Sequence, residues 1–377
     1  MNNETINIIF YVIAGIIFCN YLTFIFITLK GWHKINYFNA PMDEKTVNIS
    51  ILIPFRNEAN NLPHLIDSLK KQSVQPFEII FIDDHSTDHG LDIIRQFSQN
   101  STPIKILTCE ERETGKKAAL KKGLDIAQGE WVLQTDADCV LPKTWVETFI
   151  SYIQHHPKTL LIAGPVIFNR SKSIFSWFFE LDFLSLVFSG AGLIGAGRPI
   201  YCNGANMAYR RETAMEIGDT YYSAIPSGDD VFLLQQTAQR HKDSIAFLKS
   251  KAALVSTLAP KSLGDFLTQR IRWGQKTKYY TSSFAKYVAV TVFAVNILLL
   301  FSLILAFFSA LFLWILSIFF IVKIGVDTCV LYRATRFSSN EELLLWTLIT
   351  SILYPIYIAI ASLAGLFKKK VWKDRTI

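Results

Sequence analysis

Trp131-Val132-Leu133-Gln134-Thr135-Asp136-Ala137-Asp138 is an apolar run that ends in two acids one residue apart. Gly129 signals a turn before it, so the apolar residues read as a short buried strand. A strand that runs into a loop delivers its last side chains to the carboxyl edge of a sheet, where open α/β folds keep their ligands. Residues one apart on extended backbone project from the same side. Two carboxylates so placed repel, unless a cation sits beside them. A hard divalent ion that also touches phosphate oxygens, Mg²⁺ or Mn²⁺ carried by a nucleotide, would relieve the repulsion. A solvated acidic turn has the same local sequence, so the surroundings must decide.

The composition is that of a membrane protein with a large water-soluble part. Apolar residues make up 51% of the 377, charged residues 18%, and the mean hydropathy is positive. Residues 6–29 carry no charge and are long enough to cross a hydrocarbon core roughly 30 Å thick. The run is too long for a signal peptide and no Ala-x-Ala-like site follows, so a retained anchor is expected. A second uncharged stretch, Tyr287 to Val322, is too long for one perpendicular helix and reads as a hairpin of two spans over 287–331. Residues 343–367 supply a further span containing Pro355, ahead of a basic tail over 368–377. Lys323 and Asp327 can pair at i,i+4 near a span's end, where snorkelling accounts for them.

The net charge of +7 raises the possibility of nucleic acid, but its placement argues otherwise. Lys30 and Lys34 follow the first span, Arg270, Arg272, Lys276 and Lys278 precede the second, and Lys368-Lys369-Lys370 follow the last. Basic flanks of this kind mark a cytoplasmic face against anionic lipid. An N-terminus outside and three later spans would put the basic tail outside, so one apparent span, the Pro355 segment or the 287–331 hairpin, is expected to be re-entrant or interfacial. The five cysteines show neither metal-ligand spacing nor a disulfide framework, which suits a reducing compartment.

Between the anchors, residues 42–283 form one soluble region. Its first half alternates strands over 47–53, 77–82, 104–107 and 130–134 with helices over 58–71, 87–98 and 116–127. That alternation predicts a parallel, doubly wound α/β sheet, with Pro54 stopping the first strand. Each strand end carries polar groups: Phe55-Arg56-Asn57-Glu58, then Asp83-Asp84-His85-Ser86-Thr87-Asp88, then Asp136 and Asp138. Strand ends of one parallel sheet share an edge, so these groups converge on one crevice. Ser86 or Thr87 can cap the next helix. Lys116 and Lys117 open a helix after Gly115, either as an anion site or as an ordinary solvated face. Residues 173–193 are rich in Phe, Leu and Trp yet hold Glu180 and Asp182, and read as interfacial or buried.

Taken in order, Pro54-Phe55-Arg56-Asn57-Glu58, Asp83 to Asp88, Asp136-Ala137-Asp138, Gly228-Asp229-Asp230 and Gln269…Arg272-Trp273 resemble the motifs of family 2 glycosyltransferases. Within that family the chain is similar to the membrane-bound branch of cellulose, hyaluronan and poly-N-acetylglucosamine synthases and ceramide glucosyltransferases. The resemblance covers about residues 47–275 and implies a GT-A type nucleotide-sugar-binding domain carried between transmembrane helices. It implies that Pro54, Arg56, Glu58, Asp83, Asp84, Lys116 and Asp136 line the nucleotide-sugar site, with UDP-sugar the expected donor. Asp138, with Asp136, would hold the divalent cation. Asp230 would be the general base and Asp229 its neighbour, standing where the family more often has Glu. Gly204, Asn206, Gln269, Arg272 and Trp273 would serve the acceptor and diphosphate.

The resemblance further implies a multi-pass protein of the cell (inner) membrane with a cytoplasmic catalytic domain. Processive synthases use more spans than the four expected here, so transfer to a lipid-linked or membrane-associated glycan acceptor is preferred. Synthesis of a long exported polymer is the alternative. An inactive scaffold is disfavoured because Asp84, Asp138 and Asp230 are all present.

Overall fold

The computed structural model describes residues 3–44, 47–98, 103–169, 175–218, 228–308, 310–367, 371–372 and 375–376. Two compact units are present: Gly31–Ser171 with Leu193–Ala259, and Met1–Lys30 with Lys172–Gly192 and Pro260–Ile377.

The first unit is built on a sheet that has seven strands among the described residues. Its first half is β1 (Ile49–Phe55), β2 (Glu78–Asp83), β3 (Ile104–Thr108) and β4 (Trp131–Gln134), joined by α2 (Leu62–Lys70), α3 (Gly90–Phe97) and α4 (Lys116–Ile126); α1 (Asn3–Lys34) precedes them. The order β3-β2-β1-β4 is parallel throughout. β1, β2 and β4 are buried along their whole length, which is why their sequences are largely apolar and do not alternate. Leu62, Leu65, Ile66 and Leu69 form the buried stripe of α2, at helical spacing.

β1 runs through Pro54 and ends at Phe55, one residue beyond the predicted stop. The reason is geometric. The Leu52 carbonyl accepts from Thr135 and the Phe55 carbonyl from Asp84, so the backbone of the even-numbered residues faces β4. β4 pairs no further than Leu52↔Gln134, and the N–H that Pro54 lacks has no partner strand to miss.

The parallel alternation expected of the first half is found there, and after β4 the chain takes a different course. α5 (Trp145–His155), β5 (Leu161–Ala163), β6 (Val166–Asn169), α6 (Ser176–Gly195), β7 (Met207–Arg210), α7 (Arg211–Ile217), the helix Asp229–Arg240, β8 (Ile245–Phe247) and β9 (Val255–Leu258) follow. β7 enters antiparallel between β4 and β5, and β8 closes the edge parallel to β5. The fold is therefore GT-A-like α/β with a mixed sheet, while β6 and β9 pair separately. Strands of three or four residues are too short to carry a legible period.

The second unit is helical. Five helices among the described residues are long and apolar enough to cross a membrane: Asn7–Lys34, Ser176–Gly195, Ser283–Ala306, Phe312–Ser338 and Glu341–Gly365. The helix Thr347–Phe367 passes Pro355 without interruption. Lys323, expected to snorkel, is only 2% exposed. It bonds Asp327 at 2.5 Å, Asp327 also accepts from the Tyr21 hydroxyl, and the Lys323 ammonium lies over the Tyr21 and Tyr354 rings. A charge buried inside a bundle is held by paired partners of this kind. Glu180 and Asp182 are likewise buried. The basic residues Lys368, Lys369, Lys370 and Lys373 lie outside the described residues.

Candidate active site

The carboxyl ends of β1, β2 and β4 meet where their polar residues follow one another. Arg56 is buried and donates from Nη1 to the Asp84 carbonyl at 2.9 Å, tying the end of β1 to the end of β2. Asn57 turns with a φ of 52°, which an Asn tolerates better than most side chains. Its amide N–H donates to Ser86 Oγ and its Oδ1 accepts from the Thr87 N–H. Glu58 accepts from Asn61 Nδ2 at 2.6 Å. Pro54 itself is buried in β1.

Asp83 and Asp84 are 4% and 1% exposed, and each carboxylate helps to hold its loop. Asp83 Oδ1 accepts from the Ser86 N–H, and Asp84 Oδ1 accepts from the Gly115 N–H just ahead of α4. The expected cap on α3 is absent: the helix starts at Gly90, and Asp88 serves Ala59 and Gly90 instead. The Cys109 thiol is pushed up to about 12, first by burial and then by Asp84 and Glu113, so it stays protonated and unreactive.

At the end of β4, Asp136 meets Lys116, the first residue of α4, at 2.5 Å. Lys116 also reaches Asp229 Oδ2 at 3.6 Å. Burial alone would lower the lysine's pKa, but Asp136, Asp229 and Asp230 together outweigh it and hold the ammonium above its ordinary value. One cation thus stands between the acid that ends β4 and the acid pair that opens the helix Asp229–Arg240. Gly228, at a φ of 99°, caps that helix in the left-handed region, and the two acids sit in its first turn, where the helix dipole favours negative charge. Ser227 lies outside the described residues.

Asp229 is 5% exposed and accepts from Gln134 Nε2 at 3.0 Å. Asp230 is more open; its Oδ2 accepts from the Gly204 N–H at 3.1 Å and its Oδ1 from the Val231 N–H at 2.8 Å. Gly204 earns its place inside the site: a Cβ there would stand 2.9 Å from Gln134 Nε2 and 3.3 Å from Asp229 Oδ2. The missing side chain thus makes room for the close approach of Gln134 and Asp229.

Asn206 was expected to face the acceptor or diphosphate, and the structure contradicts that. It is fully buried; Nδ2 donates to the Pro165 and Ala253 carbonyls, and Oδ1 accepts from Trp145 Nε1. Both amide hydrogens and one lone pair of Oδ1 serve a structural brace, which leaves little for substrate. Gln269, Arg272 and Trp273 lie on the helix Leu263–Gln275, in the helical unit. On that helix the buried cation is Arg270, whose Nε meets Asp182 at 2.6 Å with side chains 2% and 1% exposed. Trp273 lies 4.2 Å from the Arg270 guanidinium and packs on Phe183. Helical spacing was the available signal, since Phe266, Arg270 and Trp273 share a face that Arg272 does not.

Asp136 and Asp138, two hard carboxylates after one strand, are a donor set of the kind a hard divalent ion takes. Among the described residues no group of three or more His, Cys, Asp or Glu could hold an ion alone. Mg²⁺ and Mn²⁺ accept one or two carboxylates with phosphate oxygens completing the shell. Cys139, beside Asp138, is kept as a thiol by burial and by the two acids, so it adds no thiolate ligand.

The comparisons with known proteins agree with this geometry. Residues 50–218 match the family described as glycosyl transferase family 2. A PGL/p-HBAD biosynthesis glycosyltransferase of Mycobacterium bovis is 30% identical over 170 residues, covering 43% of this chain and 64% of the relative. A poly-beta-1,6-N-acetyl-D-glucosamine synthase of Staphylococcus aureus is 24% identical over 230 residues, 60% of this chain and 54% of the relative. The chain thus spans less than two thirds of the length of these relatives. In fold it is similar to a mannosyltransferase from Pyrobaculum calidifontis, solved with GDP-Man and Mn²⁺, at a TM-score of 0.58 and 16% identity over 95% of this chain and 99% of that one. The match and the sheet on which Asp83, Asp84, Lys116 and Asp136 are assembled coincide, and residues 50–218 are a family 2 glycosyltransferase domain.

Proposed function

We propose that the protein is an inverting, metal-dependent glycosyltransferase that moves a sugar from a nucleotide-sugar donor to a lipid-linked or membrane-associated glycan acceptor. The observation that carries this reading is Lys116, lodged between Asp136 and Asp229 at 2.5 and 3.6 Å, with Asp230 beside them. A donor diphosphate needs positive charge at one end of such a site, and an acceptor hydroxyl needs a base at the other.

The acceptor oxygen forms a bond to the anomeric carbon while the bond from that carbon to the diphosphate breaks. The electron pair leaves with the nucleoside diphosphate, and the hydroxyl proton passes to Asp230. A base on the face opposite the leaving group inverts the anomeric carbon. Lys116, at the N-terminus of α4, adds its charge and that of the helix end to the leaving diphosphate. Backbone N–H groups of Gly204 and Val231 orient the Asp230 carboxylate. A Mg²⁺ or Mn²⁺ ion held by Asp138 and Asp136 would, when bound, neutralise the departing diphosphate.

The apolar helices and the basic residues after the first span support a multi-pass protein of the inner membrane with its sheet unit in the cytoplasm, where nucleotide sugars are made. The similarity to a polysaccharide synthase favours one second reading, processive synthesis of a β-linked polymer. The test is to incubate membranes bearing the protein with a panel of UDP- and GDP-sugars and follow diphosphate release and product length. Donor-specific release that a chelator abolishes is expected, with short products; long products would favour the synthase. Absence of release from every donor would sink the enzyme reading.

A further inference from the structure

Gln134 has no task in the proposed reaction, yet its surroundings are specific. It ends β4, after Trp131, Val132 and Leu133, each of them fully buried and apolar. It is itself 1% exposed. An amide in such a strand is costly unless its hydrogens find acceptors. They do: Nε2 donates to the Gly204 carbonyl at 3.1 Å and to Asp229 Oδ2 at 3.0 Å. The orientation of the amide follows from its neighbours, since turning it over would press Oε1 against a carbonyl and a carboxylate.

The two acceptors are the two groups that hold the acid pair. Asp229 is one of the acids. Gly204, fixed through its carbonyl, donates its own N–H to Asp230 Oδ2 at 3.1 Å. Gln134 therefore touches the first acid directly and the second through one peptide unit. It stands two residues before Asp136, on the strand end that carries the donor side. Gly204 permits this approach only because it lacks a Cβ. We propose that Gln134 is a positioning residue that fixes the acid pair of Asp229 and Asp230 relative to the donor-side strand, so that base and donor are held at a constant separation. The proposal rests on the glycosyltransferase reading and deepens it.

Gln134→Leu keeps most of the volume and removes both donated bonds. The acid pair then drifts while the donor site built from Asp83, Asp84 and Lys116 stays. A misplacement of about 1 Å can cost on the order of 10²-fold in rate. Turnover at saturating donor should fall by about that factor, whereas binding of UDP or GDP with Mn²⁺, followed by titration, should stay as in wild type. The decisive arm is a double-variant cycle. Once Asp230→Asn has removed the base, its position no longer matters, and Gln134→Leu should take away little more. A merely structural role would lower nucleotide binding and add its full loss in both backgrounds.

If Gln134→Leu does not accumulate, Gln134→Met, longer and more adaptable, takes the same measurements. Wild-type turnover in a folded Gln134 variant, or losses that add fully to those of Asp230→Asn, would overturn the positioning role and leave the enzyme reading intact. A wild-type protein that transfers no sugar from any donor would overturn both.

Discussion

Two ion pairs of nearly equal length do opposite things in this molecule. Lys116–Asp136, at 2.5 Å in the sheet unit, has side chains 22% and 33% exposed, and the lysine reaches a second acid at 3.6 Å. Arg270–Asp182, at 2.6 Å in the helical unit, is 2% and 1% exposed, and Phe266 and Trp273 flank the guanidinium. The first is partly open and shared, so under the proposed function an incoming diphosphate would compete for the lysine. The second is sealed, and neither partner can leave without stranding a buried charge. Length alone does not separate a working pair from a bracing pair; access and the number of claimants do.

The largest effect that could break this comparison is catalytic. Asp230→Asn keeps size and hydrogen bonding but cannot take a proton, and loss of a general base costs about 10²–10⁴-fold in rate. Turnover should fall within that range while nucleotide binding by titration is preserved. Asp229→Asn should be milder; if it is the more damaging, the roles of the two acids are exchanged.

Next comes the sealed pair. Arg270→Met leaves Asp182 buried without its partner, and breaking a buried pair costs about 3–5 kcal/mol. A large drop in the unfolding midpoint in detergent is expected, and an unchanged midpoint would mean that the pair does not brace the helical unit.

The smallest effect sharpens the contrast within the sheet unit, at the opposite end of β2 from the site. Glu78 bonds Lys105 at 2.6 Å, Ser50 Oγ at 2.6 Å and the Gln128 N–H at 2.7 Å. Burial alone would raise its pKa, but those three partners overcome it and hold the carboxyl below its ordinary value. A lowered folded value means that the stabilisation is fully present above the unfolded pKa of about 4.3. It is lost as pH falls through the folded value. Glu78→Gln should therefore cost about 1–3 kcal/mol at pH 7 and progressively less on acidification. Melting curves of both forms from pH 7 to pH 3 measure it; a gap that widens as pH falls would contradict the assignment.

The donor half of the sheet was legible in the sequence because β1, β2 and β4 are buried along their length and read as largely apolar runs, with Leu62, Leu65, Ile66 and Leu69 marking the helix between the first two. The acceptor half was not. β5 and β8 have three residues each, and nothing in them announces that β7 would enter antiparallel. Asp136 and Asp138 could be named from spacing, and Asp229 and Asp230 through the resemblance to the family's motifs, but Gln134 could not, because its meaning lies in Gly204 and Asp229, 70 and 95 residues away. Asn206 misled for the converse reason. A polar residue in a motif looks available until Pro165, Ala253 and Trp145 are seen to claim it.

The direct test is to carry Lys116→Met and Arg270→Met through the same two measurements, sugar transfer from the donor that wild type uses and the unfolding midpoint. Removing one preorganised cationic contact from a transition state typically costs about 10²–10³-fold in rate. Lys116→Met should lose transfer on that scale and weaken nucleoside diphosphate binding, with its midpoint close to wild type. Arg270→Met should lose stability first. Wild-type transfer by Lys116→Met, with nucleotide binding undiminished, would contradict the claim that the open pair is the donor site.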